Sequence, residues 1–138
     1  MSRARILVIE DEEGIRKFIQ RVLEPLYEVH LTSNGDEGLK QARWIKPDLI
    51  LLDIHMPGLN GLTVLAKLKA HEDTRDTPVV IVSVQGDTDM LMECQRSGAV
   101  DQVIKPFSVE DLRQVVERQV IIRGDAPPPG TGEKKGEA

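Results

Sequence analysis

Residues 48–53 read DLILLD: Leu49-Ile50-Leu51-Leu52 is unbroken by any polar side chain and is closed by Asp53. Four consecutive apolar residues do not alternate. A strand made of them must therefore be covered on both faces, as in a parallel sheet with helices on each side. Ile6-Leu7-Val8-Ile9 and Val79-Val80-Ile81-Val82 share this texture, and the three runs belong at the centre of one sheet. Two other runs differ. Tyr27, Val29 and Leu31 alternate with Glu28 and His30, and Val103-Ile104 is very short, which marks both as edge strands. Strands are expected from Arg5 to Glu10, Tyr27 to Leu31, Asp48 to Leu52, Pro78 to Ser83 and Gln102 to Ile104.

The intervening segments carry a helical period. Ile15, Phe18, Ile19, Val22 and Leu23 fall on one helix face, as do Leu112, Val115, Val116 and Val120. Three more helices are expected near Gly35 to Ile45, Gly61 to His71 and Asp87 to Ser97. Strict alternation of strand and helix predicts an α/β fold, a doubly wound five-stranded parallel sheet of the flavodoxin-like order 2-1-3-4-5 with five helices. Its topological switch point lies between strands 1 and 3, and a site is expected in that crevice.

Composition narrows the function. With 138 residues, 40% of them hydrophobic, the chain has room for one domain, expected over residues 1–123. Residues 124–138, GDAPPPGTGEKKGEA, offer nothing to a core and read as a disordered Pro/Gly-rich tail or linker. A net charge of −5 without any Lys- or Arg-rich run argues against a nucleic-acid surface. No apolar run approaches the ~20 residues that cross a membrane. The single cysteine, Cys94, cannot form an internal disulfide. A cytoplasmic location is expected.

The strand ends hold the chemistry. Strand 1 runs into Glu10-Asp11, strand 3 into Asp53, strand 4 ends at Ser83 and strand 5 leads to Lys105-Pro106. Two unit charges ~5 Å apart at an effective dielectric of ~20 repel by roughly 3 kcal/mol, so three gathered acids require compensation. Lys105 supplies one positive charge and a divalent cation would supply two more. Oxygen donors favour Mg²⁺, and zinc lacks a His or Cys cluster. The acidic turn Glu10-Asp11-Glu12-Glu13 would repel a nucleotide phosphate, unlike a glycine-rich turn. What fits is phosphoryl transfer to a carboxylate: Asp53 as nucleophile, Mg²⁺ and Lys105 absorbing charge, and Ser83 donating a hydrogen bond.

The segments ILVIEDE, DLILLDIHMPGLNG, PVVIVS and GAVDQVIKPF, in this order and spacing, resemble the response-regulator receiver family across roughly residues 4–122. The resemblance implies that Asp53 is the phosphoacceptor, that Glu10 and Asp11 help hold Mg²⁺, and that the backbone carbonyl of His55 completes the protein's share of its coordination. It further implies a phosphohistidine donor on a sensor histidine kinase or phosphotransfer domain, a cis Lys105-Pro106 bond, and a switch read by a downstream protein. Such a domain is a stoichiometric phosphoacceptor that assists its own phosphorylation and dephosphorylation, not an enzyme acting on other substrates.

Two positions depart from the family pattern. Val84 follows the strand 4 hydroxyl where a small residue is usual, and is expected to crowd the path beneath Ser83. Gln102 replaces an aromatic residue and is expected to stay near the surface. Two other functions compete: a degenerate receiver that only binds protein, and a haloacid-dehalogenase-like phosphatase. The phosphatase needs a second Asp two residues after the nucleophile, where this chain has His55.

Overall fold

The computed structural model describes residues 3–56, 58 and 60–122. Along them run β1 (Arg5–Ile9), α1 (Glu13–Leu23), β2 (Glu28–Thr32), α2 (Gly35–Ile45), β3 (Leu49–Asp53), α3 (Gly61–Ala70), β4 (Val79–Val84), α4 (Thr88–Arg96), β5 (Asp101–Lys105) and α5 (Val109–Ile122). All four strand pairings are parallel, and the order is β2-β1-β3-β4-β5, as the run texture predicts. The 124–138 segment lies outside the described residues.

Each central strand divides its apolar residues between two cores, because successive side chains leave a strand on opposite faces. Ile6, Val8, Leu49, Leu51, Val80 and Val82 pack with α1 and α5. Leu7, Ile9, Ile50, Leu52, Val79 and Ile81 meet α2, α3 and α4 on the other face. This is why these runs lack alternation. Cys94 is fully buried in the second core. Helices α2 and α3 start on asparagine caps, where the Asn34 and Asn60 side chains accept the amides of Glu37 and Thr63. The end of α2 is tied to the start of β1 by Arg5, whose guanidinium donates to the Ile45 carbonyl at 2.9 Å. Trp44, one residue earlier, is 84% exposed.

The edge strands differ from their sequence reading. Tyr27 precedes β2: its amide donates to Leu23 O at 2.9 Å, closing the turn after α1, while its ring is buried. Strand β5 is longer than its two apolar residues suggest, pairing from Asp101 to Lys105 with Val80 to Val84. Backbone pairing needs no apolar side chain, and polar groups secure the near end. The Asp101 carboxylate accepts the Gln102 amide at 2.8 Å, Arg118 at 2.7 and 3.1 Å, and Gln119 at 3.1 Å. Burial works against the Asp101 charge, but the Arg118, Gln102 and Gln119 donors outweigh it and hold the carboxyl below its usual range. Asp101→Ala leaves the side-chain amide of the buried Gln119, on α5, without this acceptor. A loss of about 1–2 kcal/mol in urea unfolding is expected, limited because Arg118 is half exposed and screened. An unchanged midpoint would show that α5 is held by its apolar face alone.

Candidate functional site

Parallel strands in register deliver their last residues to one edge of the sheet, and there four strands present the polar set. Asp53 ends β3, Lys105 ends β5, Glu10 follows β1, and Ser83 is the penultimate residue of β4. Glu10, Asp53 and Ser83 are all almost completely buried. Lys105 Nζ lies 3.4 Å from Asp53 Oδ2 and 3.4 Å from Glu10 Oε2. Asp11 stands exposed at the rim, and Glu10, Asp11 and Asp53 each offer a carboxylate oxygen within 4.8 Å of the others. The Lys105–Pro106 peptide bond is cis.

The electrostatics follow from burial. Loss of water, a hydrogen bond to Asp53 and the Asp53 charge together push the Glu10 carboxyl up to about 7, against the opposing pull of the Glu12 amide and Lys105. Burial works against the Lys105 charge, but Asp53 and Glu10 more than offset it and raise its pKa. The cluster thus carries more negative charge than one lysine neutralises. Among the described residues, two buried side-chain atoms lack hydrogen-bond partners, Glu10 Oε1 and Ser83 Oγ. The first is 3.3 Å from Lys105 Nζ, close enough for charge attraction but without hydrogen-bond alignment. A buried polar atom without a partner costs about 1–3 kcal/mol and is rare enough to require an explanation. Oxygen-ligated Mg²⁺ suits the donor set Glu10, Asp11 and Asp53, and an anion with acceptor oxygens suits the Ser83 hydroxyl.

The backbone around Asp53 is tightly placed. The His55 amide donates to Asp53 Oδ1 at 2.9 Å, while its ring turns outward to Asp87. Helix α3 begins against the end of β3: a Cβ built on Gly61 would lie 2.3 Å from Ile54 Cα and 2.7 Å from Asp53 O. Gly58 has φ +75°, a conformation that suits glycine.

Two participants escape a reading of the sequence. Arg16, on α1, donates to the carbonyls of Glu10 and Asp11, both at 2.9 Å, and so pins the acidic loop. Asp87, 32 residues from His55, pairs with it across the mouth. No spacing rule announces either contact. Of the two departures, Gln102 is half-buried beside a cleft of about 320 Å³ against α4. Val84 is 41% exposed and, as the strand residue after Ser83, leaves β4 on the opposite face, so it does not crowd Ser83 from beneath, contrary to expectation. It falls on the outward-facing last position of β4.

Comparison with known proteins adds a second line. The family model for the response regulator receiver domain matches residues 6–117. The regulatory protein AtoC of Escherichia coli is 36% identical over 120 residues, covering 86% of this chain and 26% of AtoC. Sporulation initiation phosphotransferase F of Bacillus subtilis is 29% identical over 126 residues, covering 91% of this chain and 100% of that protein. The chain thus spans about a quarter of one relative and the whole of the other. Among solved structures, the receiver domain of a Pseudomonas aeruginosa sensor histidine kinase, with magnesium coordinated in its active-site cleft, aligns with a TM-score of 0.77 at 28% identity. It covers 86% of this chain and 98% of that one.

Proposed function

Because this chain belongs to the response regulator receiver family, we propose that Asp53 is its phosphoacceptor and that the surrounding set is the machinery of a Mg²⁺-dependent switch. The observation that carries this reading is the orphaned Ser83 hydroxyl, buried at the same strand edge as a nucleophilic carboxylate and a lysine. In the reaction an Asp53 carboxylate oxygen bonds to phosphorus as the nitrogen–phosphorus bond of a donor phosphohistidine breaks, and the leaving imidazole takes up a proton. Lys105 then pairs with the phosphoryl oxygens and Ser83 donates the hydrogen bond it now lacks. Glu10, Asp11, Asp53 and the His55 backbone carbonyl would hold Mg²⁺, which would supply positive charge to the phosphoryl oxygens. Attack of water on the phosphorus later returns the free carboxylate, so turnover is stoichiometric.

The donor is a sensor histidine kinase or phosphotransfer protein, and a downstream protein reads the phosphorylated form. No helix among the described residues is long and apolar enough to cross a membrane. The domain is placed in the cytoplasm on the ground that such donors present their phosphohistidine there.

Incubation with acetyl phosphate and Mg²⁺ is expected to add one phosphoryl group per chain by intact mass. No added mass under conditions that preserve the acyl phosphate would overturn the reading. Asp11→Ala is expected to weaken Mg²⁺ binding by about tenfold, whereas Glu12→Ala leaves it nearly unchanged. The reason is that Asp11 joins the oxygen cluster while Glu12 contributes its amide to Glu10 Oε2 at 3.1 Å. Calorimetric titration with Mg²⁺ decides it, and the reverse ranking would misplace the metal.

A further inference from the structure

The β3–α3 and β4–α4 loops meet across the mouth of the site through side chains. His55 Nε2 is hydrogen-bonded to Asp87 Oδ2. The same carboxylate oxygen accepts the Val84 amide at 3.3 Å. The His55 amide in turn donates to Asp53 Oδ1. One polar path therefore runs from the phosphoacceptor through His55 to Asp87 and back into the chain immediately after Ser83. Asp87 stands at the N-cap position of α4, yet makes no side-chain cap hydrogen bond. Its carboxylate is spent on the loop instead.

The direction of the Val84 N–H gives this path its meaning. Ile54 N donates to Val82 O at 3.2 Å, so Val82 turns its backbone polar groups toward β3. In a parallel ladder the residue two further on turns the same way. The Val84 N–H therefore faces the end of β3, where Asp53 stands, and Asp87 occupies it. A phosphoryl group on Asp53 would bring new acceptor oxygens to that end of the strand. One N–H cannot serve Asp87 and a phosphoryl oxygen equally well.

We propose that the His55–Asp87 pair is a latch: it holds the Val84 amide, and with it the β4–α4 loop, in the unphosphorylated arrangement, and phosphorylation of Asp53 must displace it. The proposal rests on Asp53 being the phosphoacceptor. His55 and Asp87 act as positioning residues, His55 by fixing Asp87 and Asp87 by competing for the amide. An interaction made in one state and given up in the other lowers the affinity of the site for the ligand that drives the change. Release of Asp87 also frees the residue from which α4 starts, so the same event carries the signal at Asp53 to the beginning of that helix.

Beryllofluoride, a phosphoryl mimic, tests this at saturating Mg²⁺, with its affinity read by fluorine NMR. Asp87→Ala and His55→Ala are each expected to bind it about fivefold tighter than the unaltered protein, the size of effect expected from one lost charge-assisted hydrogen bond. The double variant is expected to bind no tighter than Asp87→Ala alone, because both changes open one latch. Asp87→Asn keeps an acceptor oxygen for both donors and is expected to stay within about twofold of the unaltered protein. A variant that had merely lost structure would bind more weakly, so tighter binding cannot arise from damage. Unchanged or weaker binding by Asp87→Ala, or effects that multiply in the double variant, would overturn the latch. Absence of beryllofluoride binding in the unaltered protein would overturn the phosphoacceptor reading itself, and the latch with it.

Discussion

Asp53→Asn is expected to take up no phosphoryl group from acetyl phosphate while being at least as stable as the unaltered protein. The amide oxygen carries no charge and does not form the acyl phosphate, so labelling falls to background by intact mass. The stability gain follows from the Glu10 environment. A carboxyl whose folded-state pKa stands at about 7, against 4.5 for the free group, binds protons preferentially in the folded chain. Folding stability is therefore lost as pH rises from about 4.5 through about 7. Asp53 contributes to this both by its hydrogen bond and by its charge. Replacing it leaves Glu10 with Lys105 as a neutral pair, and a gain of about 1–2 kcal/mol is expected at pH 8 without Mg²⁺. The loss between pH 5 and pH 8 should shrink in parallel. Labelling of the variant would remove Asp53 from its role. Lost labelling together with lost stability would mean that the carboxylate is structural.

The second large effect is expected at Gly61. A Cβ there would overlap Ile54 Cα and the Asp53 carbonyl oxygen, and both are backbone atoms of a central strand end that cannot step aside as a flexible side chain can. Gly61→Ala must push α3 away from β3 or bend β3 itself, and a cost of about 3 kcal/mol or more is expected. Because Asp53 is one of the atoms' owners, labelling should slow as well. Gly14→Ala is the control. That position lies in α1 with nothing within 4 Å of the added Cβ, and the change is expected to stabilise by about 0.5–1 kcal/mol. Equal effects at the two positions in chemical unfolding would show that α3 tolerates displacement.

The contrast between these glycines marks where the sequence is legible. The three central strands can be read directly, because burial on both faces writes itself as an uninterrupted apolar run. The residues at their ends can be read as well, since a charge placed after four apolar residues must lie at an edge. Gly61 reads only as a turn and helix start. Its close approach to Asp53 depends on how α3 lies on the sheet, which no local pattern encodes. The same holds for β5, whose length is set by pairing with β4 and by Asp101 reaching α5, not by its own apolar content. Asp87 and Arg16 belong to this class too: each is an ordinary exposed charge in sequence and acquires its role from a partner that the fold brings close. The bulk of Val84 was legible, but not the way it turns.

The one tryptophan of the chain has a practical consequence. Trp44 lies in the last turn of α2, beside the point where Arg5 ties that helix to the start of β1, so it stands at the edge of the sheet opposite Asp53, 84% exposed. An indole that meets water in the native chain much as it does in the denatured one has little emission to lose or gain. Intrinsic fluorescence is thus expected to respond little to events at Asp53 and only weakly to unfolding. The same silence makes the protein a clean background: a reporter tryptophan introduced near the mouth, with Trp44 changed to phenylalanine, would be read without interference.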